Sequence, residues 1–247
     1  MFCGGFFNFY NVIGDTLKKI ELSKRLQKAS EFAVPNRPIL DVGSDHANLP
    51  IYLVQEGKVP AAVAGEVVKG PYEYAKSKID NNGLEKKISI RLGDGLDVID
   101  SKDTIGTIFI CGMGGFLITN ILKNGLKMNK LSQNTRLVLQ PNHGEESVRE
   151  FLDQAGYEII DEAILEEKGK YYEIIVAEYT NSPKNYTNLE YIFGPKLLKS
   201  KSAIFTKKWE DKKLWFENVL EKIKQTQDAE KVHFLKNKIK QIEQVIS

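Results

Sequence analysis

Four places in this chain set an acid or a group of glycines where an apolar run stops. Ile39-Leu40-Asp41-Val42 leads into Gly43-Ser44-Asp45-His46, and Ala61-Ala62-Val63-Ala64 into Gly65-Glu66. Ile88-Ser89-Ile90-Arg91-Leu92 leads into Gly93-Asp94-Gly95, and Thr107–Cys111 into Gly112-Met113-Gly114-Gly115. The carboxylates of Asp41, Glu66 and Asp94 can accept hydrogen bonds from hydroxyls or amines, and Asp41 can also balance a positive charge. Glycines at 43, 95, 112 and 114 clear side chains from places where a ligand must approach backbone. Capping and turn geometry explain each tip taken singly. Their order and spacing together point to a nucleotide-sized ligand lying across the carboxyl edge of a parallel sheet.

The elements that must hold these tips can be read from the apolar spacing. A helix is expected over Glu21–Phe32, ended by Pro35 and Pro38, then a first strand at Ile39–Val42. Helices at Leu49–Glu56, Gly70–Asn82, Phe116–Leu126 and Gly144–Ala155 alternate with strands at Ala61–Gly65, Ile88–Leu92, Thr107–Cys111 and Arg136–Gln140. Then the rhythm changes. Tyr157–Ile160 and Tyr172–Ala177 are separated by a charged stretch with Lys168-Gly169-Lys170, too short for a covering helix, so they pair antiparallel. Five βα units closed by a hairpin describe the mixed seven-stranded, Rossmann-like α/β sheet of class I S-adenosylmethionine (SAM) methyltransferases. The run Gly43–Ala47 also lacks G-x-G-x-x-G, with Asp45 where a pyrophosphate needs glycine, which disfavours a nicotinamide enzyme.

On that fold Glu66 would accept from both ribose hydroxyls and Asp94 from the adenine amine, with Gly95 letting the ring approach. Asp41 and Gly43 would face the methionine part, and Gly112 and Gly114 would clear space near the methyl group. Asn181–Thr187 is a polar linker, and beyond it the chain is helical. Val232, Leu235, Ile239, Ile242 and Ile246 form a seam spaced by threes and fours, nearly matched by Trp209, Phe216, Val219 and Ile223, with a turn at Gln225–Glu230. An antiparallel coiled-coil hairpin follows from that pattern. From Pro183 onward there are 14 Lys and no Arg against 8 acids, while residues 1–182 carry a net charge of −4. The basic end suits a polyanion, or is simply a solvated surface.

The motifs Asp41-Val42-Gly43-Ser44-Asp45-His46-Ala47-x-Leu49-Pro50, Gly65-Glu66-Val67 with Gly70-Pro71, Arg91–Leu96, Gly112-Met113-Gly114-Gly115, Leu139-Gln140-Pro141-Asn142 and Tyr171-Tyr172-Glu173-Ile174 resemble the bacterial TrmK-type tRNA (adenine-N1)-methyltransferases. The likeness runs from about Leu22 to Tyr179 and more loosely into the helical end. It implies a SAM-dependent enzyme that methylates N1 of adenine 22 of tRNA, with a C-terminal coiled coil. The cofactor-binding set is then Asp41, Gly43, Asp45, His46, Glu66, Asp94, Gly95, Gly112, Met113 and Gly114. Asp45, Gln140 and Asn142 are the candidates for handling the adenine, whose methylated ring is cationic. Two departures stand out: the apolar residues 1–19, and Cys111 where the family pattern has Ala. Adenine N1 carries no proton near pH 7, so alignment and exclusion of water would do most of the catalysis. The base would have to be turned out of the RNA stack, and Tyr72, Phe116 or Tyr172 could stack on it.

The composition agrees with a globular chain: 247 residues, 42% hydrophobic, 28% charged, net charge +2. Cys3 and Cys111 are too few and too far apart for a disulfide framework, and His46, His143 and His233 lack metal-ligand spacing, so no metal is expected. Residues 1–13 are too short and too broken by Gly4, Gly5, Asn8 and Asn11 for a signal peptide or a membrane span. The expected organisation is a tail over 1–19, a methyltransferase domain over 20–182 and a basic helical domain over 183–247, in a cytoplasmic monomer. Two other readings stay open: a SAM enzyme acting on a protein or small metabolite, and an RNA-binding module on a degenerate fold.

Overall fold

The computed structural model describes residues 20–223 and 228–246; the tail expected over 1–19 and part of the expected Gln225–Glu230 turn lie outside them. Seven strands form one sheet: β1 (Ile39–Val42), β2 (Ala62–Glu66), β3 (Ile88–Leu92), β4 (Thr107–Met113), β5 (Arg136–Pro141), β6 (Tyr157–Glu167) and β7 (Lys170–Tyr179). Their order is β3-β2-β1-β4-β5-β7-β6. The first five are parallel, and β7 runs antiparallel to both β5 and β6. The order reverses between β1 and β4, so the crevice at their carboxyl ends is the topological switch point.

Strand alternation supplies two apolar faces. Ile39, Ala62, Ala64, Phe109, Val138 and Ile174 pack under α1 (Lys24–Ser30), α2 (Asn48–Gln55) and α3 (Lys69–Asn81). Leu40, Val63, Ile108, Ile110, Leu137 and Ile175 pack under α4 (Gly115–Lys127) and α5 (Glu145–Gln154). The helix expected over Glu21–Phe32 is shorter, because Ser23 caps it through its hydroxyl on the Leu26 N–H.

The closing hairpin is much longer than its apolar cores at Tyr157–Ile160 and Tyr172–Ala177. It pairs through Glu167 and Lys170 around a two-residue turn, Lys168 (φ 51°) and Gly169 (φ 72°), the left-handed pair that matches strand twist. The acid-rich Asp161–Glu167 segment reads as loop from composition. It is strand because Glu162 is buried against a cation and the rest pairs with β7.

After Tyr179, Asp153 ties the linker down by accepting from the backbone N–H groups of Lys184, Asn185 and Tyr186 and from the Tyr191 hydroxyl. Two short helices that the apolar spacing does not disclose, α6 (Asn188–Phe193) and α7 (Leu197–Ser200), lead to α8 (Ala203–Ile223) and α9 (Ala229–Ile246). A Thr187/Glu190 capping box starts α6. The last two helices run antiparallel, with Lys213 of α8 2.8 Å from Glu243 of α9. Phe205, Trp209 and Phe216 of α8 pack with Leu235, Ile242 and Val245 of α9 and with Ile192, Phe193 and Leu197; Ile239 and Ile246 are only partly buried. No described helix is long and apolar enough to cross a membrane.

Candidate active site

The loop after β1 is held off the common backbone regions. Asp45 (φ 32°), His46 (φ 70°) and Ala47 (φ 55°) are three consecutive non-glycine residues in the left-handed region. Each such residue costs on the order of 1 kcal/mol and persists only where its surroundings over-determine it. Here Gly43 and Ser44 donate to the Gly65 carbonyl, Ala47 to the Ser44 carbonyl, and the Asp45 N–H to Glu66 Oε1 at 2.7 Å. The Glu66 carboxylate at the tip of β2 therefore fixes the loop at the tip of β1. Gly43 sits against the Met113 methyl, and a Cβ there would collide with it.

Asp41 is buried, and its one hydrogen-bond donor is the Ser44 hydroxyl at 2.6 Å. Burial pushes its carboxyl up to about 7, with Ser44 opposing and the negative charges of Glu66 and Asp45 adding to the rise. Glu66 is also raised by burial, which the Asp45 N–H partly offsets. Two acids held above their usual range beside a strained loop form a site that a positive charge would relieve. His46 packs edge-on to Tyr74, with its ring centroid 4.4 Å away, and its buried Nδ1 has no partner.

The tips of β4 and β5 are stitched to one another. Gln140, fully buried, accepts from the Gly112 N–H, and its amide donates to the Pro141 carbonyl and the Asn142 side-chain oxygen. Asn142 donates to the Gly112 carbonyl at 2.7 Å and, through its backbone, to the Met113 carbonyl. The Gly115 N–H closes the loop on the His143 carbonyl, and the His143 ring lies over Gly114. Cys111 lies at this join, and burial pushes its thiol up, so it is no thiolate nucleophile.

Arg25 of α1 reaches into the join. Its Nη1 donates to Gln140 Oε1 at 3.1 Å and Asn142 Oδ1 at 3.2 Å, and its guanidinium stands 5.3 Å over the Tyr172 ring. Sequence reasoning passed over this residue because α1 was read for its apolar positions alone. One signal was available. Only five of the 35 cations are Arg, and all five hydrogen-bond a protein acceptor, as a forked donor does best.

The expected residues fall into two groups. Asp41, Gly43, Asp45, His46 and Glu66 come together at the β1 and β2 tips, with Asp45 presenting its backbone while its side chain is exposed. Gly112, Met113, Gly114, Gln140 and Asn142 come together at β4 and β5. Asp94 and Gly95 follow the β3 tip, where the Gly93 N–H donates to the Glu66 carbonyl at 2.8 Å, and line a cleft of about 320 Å³ with Leu117, Ile121 and Met128. Exposed Val67 and Leu92 flank the tips of β2 and β3 as apolar surface at the same edge. Of the aromatics weighed for the target base, Tyr172 lies in a cleft of about 710 Å³ lined also by Arg25, Asn142 and His143 and by Lys212 and Trp215 of α8.

A family model described as tRNA (adenine(22)-N(1))-methyltransferase, TrmK, matches residues 39–244. The tRNA (adenine(22)-N(1))-methyltransferase of Bacillus subtilis (strain 168) is 42% identical over 219 residues, covering 87% of this chain and 90% of that protein. The Streptococcus pneumoniae protein Sp1610, solved in complex with S-adenosyl-L-methionine, superposes with a TM-score of 0.83 at 41% identity, over 92% of this chain and 100% of that one. M. capricolum TrmK, solved in complex with S-adenosyl-homocysteine, superposes with a TM-score of 0.80 at 27% identity, over 91% and 97% of the two chains. Fold, strand-tip chemistry and similarity agree: the chain belongs to the TrmK family of tRNA (adenine(22)-N(1))-methyltransferases.

Proposed function

We propose that this protein transfers the methyl group of SAM to N1 of adenine 22 of tRNA, using the β1–β3 tips to hold the donor and the β4–β5 rim to receive the base. The observation that carries this is the pair of raised acids, Asp41 and Glu66, beside the orphaned buried His46 Nδ1. Each carboxylate has a neutral donor but no cation, and the His46 Nδ1 has no partner, so a charged, polyhydroxylated ligand would supply what these groups lack. SAM fits that need. When bound, it supplies a methyl group on a positively charged sulfur whose departure needs no acid.

The residues would divide the work. Glu66 and Asp94 accept from the nucleoside part, Asp41 compensates positive charge, and His46 donates or accepts at Nδ1. Gln140 does not touch substrate: fully buried, it positions the Gly112 backbone and the Asn142 amide. Arg25 fixes that amide from the other side. With Oδ1 taken by Arg25 and Gln140, Asn142 presents a set orientation to the cleft, and alignment is the form of catalysis this reaction needs. Tyr172, covered on one face by Arg25, is the stacking surface for the extruded base.

Incubating an unmodified tRNA transcript with protein and SAM, then digesting it for nucleoside mass spectrometry, yields 1-methyladenosine at position 22 if this is right. Methyl transfer to protein or small molecules alone refutes it. In calorimetry, Glu66→Ala and Asp94→Ala each weaken SAM binding about tenfold or more, the scale of one lost charge-assisted hydrogen bond.

A further inference from the structure

The seam of α8 is made by Phe205, Trp209 and Phe216. Trp215 falls off that seam and is 54% exposed, touching the core only edge-on at Phe216, and it lines the cleft that holds Arg25, Asn142 and Tyr172. The Lys212 ammonium stands 5.0 Å over its ring. The charges around it are unevenly matched. Glu145 is bonded by Lys208, and Asp211, the other acid of the cleft, accepts from the Tyr171 hydroxyl at 2.6 Å and keeps its charge. Arg25, Lys170 and Lys212, which also line it, have no carboxylate partner among the described residues. Four cations against two acids, with the rings of Tyr171, Tyr172 and Trp215 in the same cleft, match a ligand that alternates phosphates with flat bases.

We propose that Trp215 is a stacking platform for a base next to the target adenine, with Lys212 and Lys170 beside the phosphates that flank it. This rests on tRNA being the substrate and deepens that reading. Adenine 22 would enter at Tyr172 while its neighbour in the strand is held on Trp215 in the same cleft, so Trp215 helps to keep the RNA locally open. Aromatic contacts of this kind tolerate any base, so the residue would act on affinity for the opened strand and not on sequence choice.

The test uses the full chain, a tRNA transcript, and transcripts abasic at position 21 or 23. Trp215→Ala raises the KM for tRNA about tenfold to hundredfold, leaves SAM affinity unchanged, and is largely rescued by Trp215→Phe. Titrating parent protein with tRNA quenches the emission component that Trp215→Phe lacks, the buried Trp209 being common to both. One of the two abasic transcripts erases the difference between parent and Trp215→Ala. An unchanged KM in Trp215→Ala overturns the proposal. So does an equal emission change with poly-glutamate, which would make the surface a site for any polyanion. If the parent transfers no methyl to tRNA but the Trp215 quench persists, the proposed activity fails and the stacking surface stands.

Discussion

Asp41 shows how one residue ties stability to ligand binding. Below about pH 4 its carboxyl is protonated both folded and unfolded and costs nothing. Above about pH 7 it is ionised in both states, and the full penalty of burying that charge is present. Between the two, the folded state holds a proton that the unfolded chain has lost, so stability falls as pH rises. Asp41→Asn keeps an acceptor for Ser44 and removes the charge. Thermal unfolding from pH 5 to 8 should show the variant gaining on the parent as pH rises, by about 3 kcal/mol at most; parallel curves would show that Asp41 is not the group responsible. Asp41 and Glu66 were legible in the sequence because acids recur at the ends of successive apolar runs, an order that capping of single turns does not require. Arg25 was not, because its role comes from two amides more than a hundred residues away, and no local pattern records that distance.

At the scale of elements, the β6–β7 hairpin is held from behind by an ion network. Arg149 of α5 is fully buried, donates to Glu162 at 2.7 Å and to Glu173, and reaches the Tyr191 carbonyl at 3.0 Å. Lys208 of α8 joins on Glu173 at 2.6 Å. Burial alone would push Glu173 up, but Lys208 and Arg149 hold it below the usual range; Glu162, with the single cation, stays raised by its burial. Gly194 packs against this cluster so closely that a Cβ would strike both Glu162 and Arg149. Arg149→Met leaves two buried carboxylates short of a partner and should cost about 3–5 kcal/mol, read as a lower denaturant midpoint. A loss under about 1 kcal/mol would mean water or Lys208 replaces the guanidinium. The parallel strands and their helices were readable from apolar runs. The outer half of the hairpin was not, because acids normally mark solvent, whereas here Glu162 and Glu166 are paired with Arg149 and Lys207.

For the whole molecule, the linker after Tyr179 separates two stretches of chain, but packing does not separate them. Lys208 completes the Glu173 network, the Tyr191 and Ile192 carbonyls accept from Arg149, and Ile164 of β6 packs into the cluster built by α6–α9. A fragment ending at residue 182 would expose these groups together, so it should express poorly or unfold well below the full chain in thermal denaturation. A stable, SAM-binding fragment would show the basic helices to be a detachable accessory. Their charge asymmetry was visible in the sequence; their packing against β6, β7 and α5 was not, since it rests on a few long-range pairs. The hairpin also carries a constraint on change. Tyr172 and Leu165 face α1, while Glu173 and Ile164 face the α5 and α8 side. Adding a single residue to β7 between the turn and Tyr172 would exchange these sides, sending a phenol into the pocket of Arg149 and a carboxylate into the cleft beside Arg25 and Asn142. Length variation along this arm should therefore be tolerated in twos, and odd insertions should abolish folding and activity together.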